Sequence, residues 1–193
     1  MDKWLNKKEF VKVFEPYNEK GTQIWVISRI KKLPAEIVKM ATRLADLDFI
    51  KYVRICDETL AASSENYPNR PKVPITNMNH ETAIGIQIIY STEYKTINFY
   101  DINSPKKGFG GKMVDAVFKD FSEDWQPAVV MDWSNGFWDR MKEKALTGGG
   151  LESYELAIFK KSAEVIVGIY GINKGDMTAE VERTDWLSYP TKR

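Results

Sequence analysis

The chain has 193 residues, of which 28 are basic and 27 acidic, so its formal net charge is +1. This length is sufficient for one hydrophobic core, and we expect a single domain over residues 1–193. Hydrophobic residues make up 43% of the chain, so a folded, globular protein is expected rather than a disordered one. The balanced charge creates no overall field that would attract nucleic acid or an anionic membrane, and it leaves local basic patches open.

The segment Met1–Lys8 has no apolar run of signal-peptide length, and no other segment approaches the length of a membrane span. The sequence therefore predicts a cytoplasmic protein with no membrane partner. The sequence is compatible with a homodimer and does not determine the oligomeric state.

The chain has one cysteine, Cys56, and one histidine, His80. A single cysteine excludes an internal disulfide, and the pair cannot form a cysteine-rich zinc site, so no metal is expected. The surrounding apolar residues favour a small buried hydrophobe at Cys56. The alternative is a Cys/His catalytic pair.

The N-terminal part begins with a short amphipathic segment over Lys7–Phe14, a turn over Asn18–Gly21 and a strand over Gln23–Ile30. A helix then starts at Leu33-Pro34, because proline suits the first helical turn. Its apolar residues recur at helical spacing and form one stripe: Ile37, Met40, Ala41, Leu44 and Leu47.

The segment Asp57–Asn79 is rich in Ser, Asn and Pro and predicts a long loop. Long loops in compact domains are often functional. We therefore interpret this one as a flap over an acceptor site.

Two strands are predicted next, over Ala83–Tyr90 and Thr96–Ile102, joined by a polar turn over Ser91–Lys95. In the first strand, alternation places four residues on one face: Ile84, Ile86, Ile88 and Tyr90.

A basic, glycine-rich loop, Ser104–Lys112, follows the second strand and leads into an amphipathic helix over Gly111–Phe121. Glycines allow a positive φ and a close approach of the backbone to a ligand, and the free N–H groups of a helix start favour a phosphate. The loop is therefore interpreted as a phosphate cradle. The alternative is a tight strand-to-helix turn in which Lys106 and Lys107 are solvated.

After this helix, the sequence predicts a strand over Pro127–Trp133. A short helix is predicted next, with Asn135–Met141 as its first residues and Gly148–Gly150 as its end. Two strands follow, at Tyr154–Phe159 and Val165–Tyr170. Residues 173–193 form an unassigned extension.

Two common phosphate motifs do not fit the loop. A dinucleotide fingerprint starting at Gly108 needs a glycine where Met113 stands, and a P-loop needs a hydroxyl residue at that same position. Pro105–Val114 instead resembles the Arg/Gln-x-x-Gly-x-Gly/Ala signature of the GNAT superfamily of N-acyltransferases, over about residues 83–146. The resemblance implies an α+β fold with a mixed, mostly antiparallel sheet flanked by helices on both faces. It also implies acetyl-CoA as cosubstrate.

The same resemblance implies a set of site residues. The acetyl-CoA contacts would come from Ile102, Lys106, Lys107, Gly108, Phe109, Gly110, Gly111, Lys112, Asn135 and Trp138. Asp101 would be the catalytic base, and Tyr100 and Ser134 weaker candidates for contact with the leaving group. The alternative for Asp101 is a cap of the turn before Pro105.

Two positions depart from the family pattern. Pro105 stands where Arg or Gln is usual, and Phe137-Trp138 stands where many members have Phe-Tyr. An indole N–H is a hydrogen-bond donor and not an acid, so Trp138 cannot protonate a leaving thiolate as a tyrosine would.

Two functions follow from this sequence. The first is an acyl-CoA-dependent N-acyltransferase that transfers an acetyl group, by direct attack, to an amine of a small molecule, a protein or a nucleic acid. The second is a catalytically impaired GNAT-like binding module that contacts a protein or a nucleic acid, for which exposed tryptophans would serve.

Overall fold

The computed structural model describes residues 10–14, 17–27, 30–119, 122, 124–129 and 136–141. The chain forms two compact units, Met1–Gln126 and Pro127–Arg193. The first unit contains the strands β1 (Phe10–Phe14), β2 (Gln23–Ile27), β3 (Tyr52–Ile55), β4 (Thr59–Ser63), β5 (Asn66–Tyr67), β6 (Arg70–Pro74), β7 (Gly85–Ser91) and β8 (Thr96–Asn103). Its helices are α1 (Ala35–Asp46) and α2 (Phe109–Phe118). A short strand, β9 (Gln126–Ala128), follows at the junction, and residues 137–141 are helical.

The main sheet of the first unit has its strands in the order β1-β2-β3-β4-β7-β8. β2 and β3 are parallel, and the four other described pairs are antiparallel. Helix α1 supplies the crossover that a parallel pair requires. The fold is therefore α+β with a mixed, mostly antiparallel sheet, as the sequence predicts.

One face of this sheet carries the hydrophobic core. Directly opposed residues of adjacent strands share a face, and one such row is Val26, Ile55, Leu60, Ile88 and Phe99. All five are buried. The Phe99 ring packs against Phe118 of α2 with 5.4 Å between the ring centroids.

Both helices of the first unit pack on this core face, because α1 and α2 contact each other and both contact sheet strands. Among the described residues of this unit, the expectation of helices on both faces is therefore not met. The opposite face is covered instead by the β5–β6 hairpin and the residues after it, as the site below shows.

The helices bury the stripes that their sequences predict. α1 starts after Pro34 and buries Ile37, Met40, Ala41, Leu44 and Ala45, while Leu47 lies just beyond its end. α2 buries Met113, Val114, Val117 and Phe118, among others. In β7, Ile86, Ile88 and Tyr90 are buried as expected, and Ile84 is buried just before the strand.

The prediction of a long loop over Asp57–Asn79 is wrong. This segment contains β4, which pairs with β3 on one side and with β7 on the other, and the β5–β6 hairpin. The residues Ala61, Ala62 and Ser63 are small but buried, so β4 shows no strong apolar pattern. Pairing with two neighbours, rather than local propensity, makes this segment a strand.

Several predictions fall on residues that the structure does not describe. These are the end of the strand predicted to Trp133, the glycines at 148–150, the strands at 154–159 and 165–170, and the extension at 173–193. Among the described residues, no helix has the length and apolar character that crossing a membrane requires.

Candidate functional site

The glycine-rich loop joins β8 to α2, in the strand–loop–helix order that the sequence predicts. Gly108 is the residue before the helix and has φ 85°, a left-handed conformation. A side chain at Gly108 would meet no atom within 4 Å. Glycine is therefore required here by the backbone conformation and not by close packing.

Ser104 stabilises this turn through two hydrogen bonds. Its hydroxyl donates to the carbonyl oxygen of Lys106 at 2.7 Å and accepts from the N–H of Gly110 at 3.1 Å. The N–H of Lys112 donates to the carbonyl of Gly108. The loop is thus held in shape by its own atoms, without a ligand.

Within the described residues, three N–H groups of this turn donate to no protein acceptor: those of Lys107, Gly108 and Gly111. The first turn of α2 has no acidic residue, and Lys106, Lys107 and Lys112 are exposed. Free donors, three cations and the positive end of a helix dipole suit an anion such as a phosphate. The sequence predicts that all the amides from Lys107 to Lys112 bind the anion, but those of Phe109, Gly110 and Lys112 donate within the turn.

Two aromatic rings lie beside this helix start. Phe109 stacks on Phe49, with 4.4 Å between ring centroids and 15° between ring planes. The ammonium groups of Lys106 and Lys112 lie 5.9 Å and 5.2 Å from the centroid of the Phe109 ring. These contacts place the ammonium groups of two of the three lysines beside the ring of Phe109, the first residue of α2.

Asp101 lies on β8, opposite Gln87 of β7. Partial burial raises the pKa of its carboxyl to about 6, although the backbone N–H groups of Met78 and Ile102 favour the charged form. Its Oδ1 atom is buried and accepts no hydrogen bond from any described residue. A carboxylate with a pKa this close to neutrality suits general-base catalysis.

A β-bulge in β8 lies directly beside Asp101. Gln87 pairs with Asp101 and Ile88 pairs with Phe99, so Tyr100 has no partner on β7. Its side chain is 57% exposed. A bulge leaves backbone groups unpaired and redirects the neighbouring side chains. Ile102, which pairs with Ile86, marks the return to regular pairing.

The face of the sheet that bears Asp101 is opposite the core. One row across it comprises Trp25, Arg54, Ala61, Gln87 and Asp101, each directly opposed to the next. We call this the cross-sheet row. Arg54 and Gln87 are not among the residues that the sequence predicts for the site. Because Arg54 alternates with the buried residues Val53 and Ile55, the sequence could have placed Arg54 on the face of the sheet away from the core. It could not have shown which residues of other strands lie beside Arg54.

The segment that follows β6 covers this face. Ser63 donates to the carbonyl of Ile75 at 2.7 Å, and Thr76 donates to Oε1 of Gln87 at 3.1 Å. Farther along, the side-chain amide of Asn103 donates to the carbonyl of His80 at 2.9 Å. Residues 75–80 therefore run from β4 across to β8, above Asp101.

Of the other predicted site residues, two lie outside the described residues and one belongs to the second unit. Ser134 and Asn135 lie outside the described residues. Trp138 belongs to the second unit, where it is buried and its ring meets Phe137 edge-on at 5.1 Å between centroids.

Cys56 and His80 do not form a pair. Cys56 is partly exposed rather than buried, and its carbonyl accepts a hydrogen bond from Tyr90. Nδ1 of His80 accepts hydrogen bonds from the N–H groups of Thr82 and Ala83. In the described part of the chain, no group of three His, Cys, Asp or Glu side chains could hold a metal ion.

Comparison with known proteins finds no protein-family model, no curated protein sequence and no solved structure that matches the chain.

Proposed function

We propose that the protein is an acyl-CoA-dependent N-acyltransferase that transfers an acetyl group to an amine. The observation that carries this proposal is a carboxylate with a raised pKa, Asp101, on the strand that leads directly into a cationic helix start with free amides. This order of elements resembles the acetyl-CoA site of the GNAT superfamily.

The helix start would hold the pyrophosphate of acetyl-CoA. The N–H groups of Lys107, Gly108 and Gly111 would donate to phosphate oxygens, and the lysine side chains would neutralise their charge. The bulge at Tyr100 supplies unpaired backbone close to the same strand end, where the family exposes backbone to the acetyl group. When bound, the cosubstrate supplies an activated thioester.

Asp101 would accept a proton from the acceptor, directly or through a water molecule, so that a neutral amine attacks the thioester carbonyl. A carbon–nitrogen bond forms, the carbon–sulfur bond breaks, and the thiolate takes a proton. Tyr100 is the described tyrosine nearest in the chain to Asp101, and its exposed hydroxyl is our candidate donor of that proton.

The second candidate function is a binding module that retains the fold without turnover. The observation in its favour is Trp138, which stands where many family members have the acidic tyrosine. Such a module would still bind CoA, so binding and turnover have to be measured separately.

Binding is tested by calorimetry with CoA on the wild type and two variants. Lys107→Glu places a negative charge among the free amides, and we expect it to weaken CoA binding by roughly tenfold or more. Lys39→Glu is the matched control, because it makes the same charge change on an exposed position of α1. No binding of CoA to the folded wild type at millimolar concentration would refute the cradle.

Turnover is tested by thiol release from acetyl-CoA in the presence of a panel of amines. Release above the hydrolysis rate with any amine class supports the acyltransferase. CoA binding without release for every class would favour the binding module.

A further inference from the structure

Residues 75–80, which we call the covering segment, lie over the carboxyl group of Asp101. The backbone N–H of Met78 donates a hydrogen bond to this carboxyl. Oδ1 of Asp101 is out of contact with solvent, and it accepts no hydrogen bond from any described residue. In this closed arrangement, no molecule in solution can therefore contact Oδ1.

The covering segment is fixed to the sheet near its two ends. Thr76 donates to the side chain of Gln87 at 3.1 Å, and the side chain of Asn103 donates to the carbonyl of His80 at 2.9 Å. Residues 77–79, between these two contacts, are exposed to solvent. An exposed stretch between two contacts can open locally at a lower free-energy cost than global unfolding requires.

The middle of the covering segment is held to the sheet by the hydrogen bond between Met78 and Asp101. Asn77 accepts a hydrogen bond from the hydroxyl of Tyr67 at 2.9 Å, but Tyr67 belongs to the β5–β6 hairpin and not to the main sheet. Among the described hydrogen bonds between the covering segment and the main sheet, only that of Asp101 involves an ionisable side chain. The state of this carboxyl can therefore control the contact.

The negative charge of Asp101 acts against the closed arrangement. A carboxylate loses hydration when the covering segment lies over it, and an oxygen atom without a donor is not compensated for that loss. The N–H groups of Met78 and Ile102 favour the charged form, but burial has the larger effect and raises the pKa of Asp101 to about 6. With its ordinary pKa of 3.8 in an open arrangement, loss of the proton must favour opening by the same linkage.

The raised pKa of Asp101 has burial as its main cause, and no neighbouring charge is among its causes. Nδ1 of His80, in the covering segment, accepts a hydrogen bond from the N–H of Ala83 at 3.1 Å. Protonation of His80 would remove this acceptor and loosen the covering segment as the pH falls, which is the opposite direction. Strands β4 and β9 contain no ionisable residue. The ionisable residues on or beside the other elements around Asp101 are His80, Glu81, Arg70 and Lys72 in β6, Tyr90 in β7 and Tyr100 in β8.

We propose that the covering segment is a gate over Asp101, closed while the carboxyl carries its proton and open more often once the proton is lost. A protonated carboxyl cannot accept a proton from an amine, so the gate would admit the amine acceptor when the base is active. This role in acyl transfer rests on the proposed acyltransferase function. The opening itself does not require that function.

The gate is tested by hydrogen exchange of the full chain between pH 4 and pH 7, without acetyl-CoA. Dividing the exchange rate of the Met78 amide by the intrinsic chemical rate at each pH gives its protection factor. We expect Met78 to be less protected than the amides of the central strand β4, because local opening costs less than global unfolding. The protection factor of Met78 should fall by roughly tenfold or more from pH 4 to pH 7.

Two variants separate the ionisation of Asp101 from the other contacts of the covering segment. Asp101→Asn has a similar shape and cannot ionise, so Met78 should not lose protection as the pH rises. Thr76→Val removes the hydroxyl that donates to Gln87, a contact that does not ionise. It should lower the protection of Met78 at every pH and keep the fall between pH 4 and pH 7.

A fall in the wild type and its absence in Asp101→Asn together support the gate. Equal protection of Met78 and the β4 amides would mean that Met78 exchanges only by global unfolding, and would overturn it. The same fall in Asp101→Asn, or no fall in the wild type, would also overturn it. If Asp101→Asn does not fold, the wild type and Thr76→Val decide the outcome. A pH-dependent gate without thiol release for any amine class would support the gate and refute the acyltransferase function.

Discussion

Asp101 has three properties that the sequence does not show: partial burial, a carboxylate oxygen without a hydrogen bond from the described residues, and a neighbouring β-bulge. The first raises its pKa because the charged form loses hydration. The second leaves one carboxylate oxygen without a hydrogen-bond donor among the described residues. The third turns the strand at the point where the reacting group would lie.

We expect acyl transfer to increase as the pH rises through about 6, because the carboxyl of Asp101 acts as a base only when deprotonated. Asp101→Asn should lower kcat by roughly a hundredfold or more and should abolish this limb of the pH profile. CoA affinity should stay the same, since the base acts on the amine. Thiol-release kinetics from pH 5 to 9 measure both effects.

The control for this substitution is Asp57→Asn, which removes an exposed carboxylate just before β4. It should leave both the rate and the pH profile unchanged. Equal turnover of Asp101→Asn and the wild type would exclude Asp101 from the mechanism.

At the scale of elements, the turn before α2 depends on the left-handed conformation of Gly108, which has φ 85°. Gly108→Ala should lower the free energy of unfolding by about 1–2 kcal/mol, because a Cβ strains this conformation even though no atom lies within 4 Å. Gly108→Asn should lower it less, since asparagine tolerates a left-handed backbone. Urea unfolding followed by circular dichroism measures the difference. A loss that is equal for the two variants would contradict the conformational explanation.

The contact between β7 and the segment after β6 depends on a different glycine for a different reason. A Cβ on Gly85 would lie 2.6 Å from the carbonyl oxygen of Ile75 and 3.0 Å from that of Ala62. Both atoms belong to the backbone, so one strand or the covering segment has to move. Gly85→Ala should therefore destabilise the protein by about 1–3 kcal/mol.

Gly85→Ala should also loosen residues 75–80 over Asp101, which hydrogen exchange of the Met78 amide would detect as faster exchange. Gly108→Ala is the matched control, because it changes a glycine outside this contact. Unchanged stability of Gly85→Ala would show that the covering segment does not lie as close to β7 as described.

At the scale of the whole molecule, the raised pKa of Asp101 makes the free energy of unfolding depend on pH. The folded protein holds this proton up to about pH 6, whereas the unfolded chain loses it near 3.8, the ordinary pKa of an aspartate side chain. Protonation of this group thus favours the folded state, and that contribution is lost as the pH rises from about 4 to 6.

Asp101→Asn cannot titrate, so its free energy of unfolding, relative to that of the wild type, should increase between pH 4 and 6 and then stay level. Urea unfolding of both proteins at a series of pH values measures this difference. A difference that does not change across the range would mean that the pKa of Asp101 is not raised in the folded protein.

The elements with strong local patterns could be predicted from the sequence. The stripe of α1 from Ile37 to Leu44, the alternation of Ile86 and Ile88 in β7, and the glycines before α2 each express a local preference of the backbone or a periodicity of 3.6 or 2 residues. Asp101 could be chosen as a candidate base because it lies at the end of a predicted strand beside the loop.

Only the tertiary structure decided which residues meet on the polar face of the sheet. β4 is a strand because β3 and β7 pair with both of its edges, and its small residues give no local signal. Arg54 and Asp101 are separated by 47 positions in the sequence numbering but by three strand intervals in the sheet. Strand order and register are set by long-range pairing, which has no local signature, and burial follows from them. The raised pKa of Asp101 therefore could not be read from the chain alone.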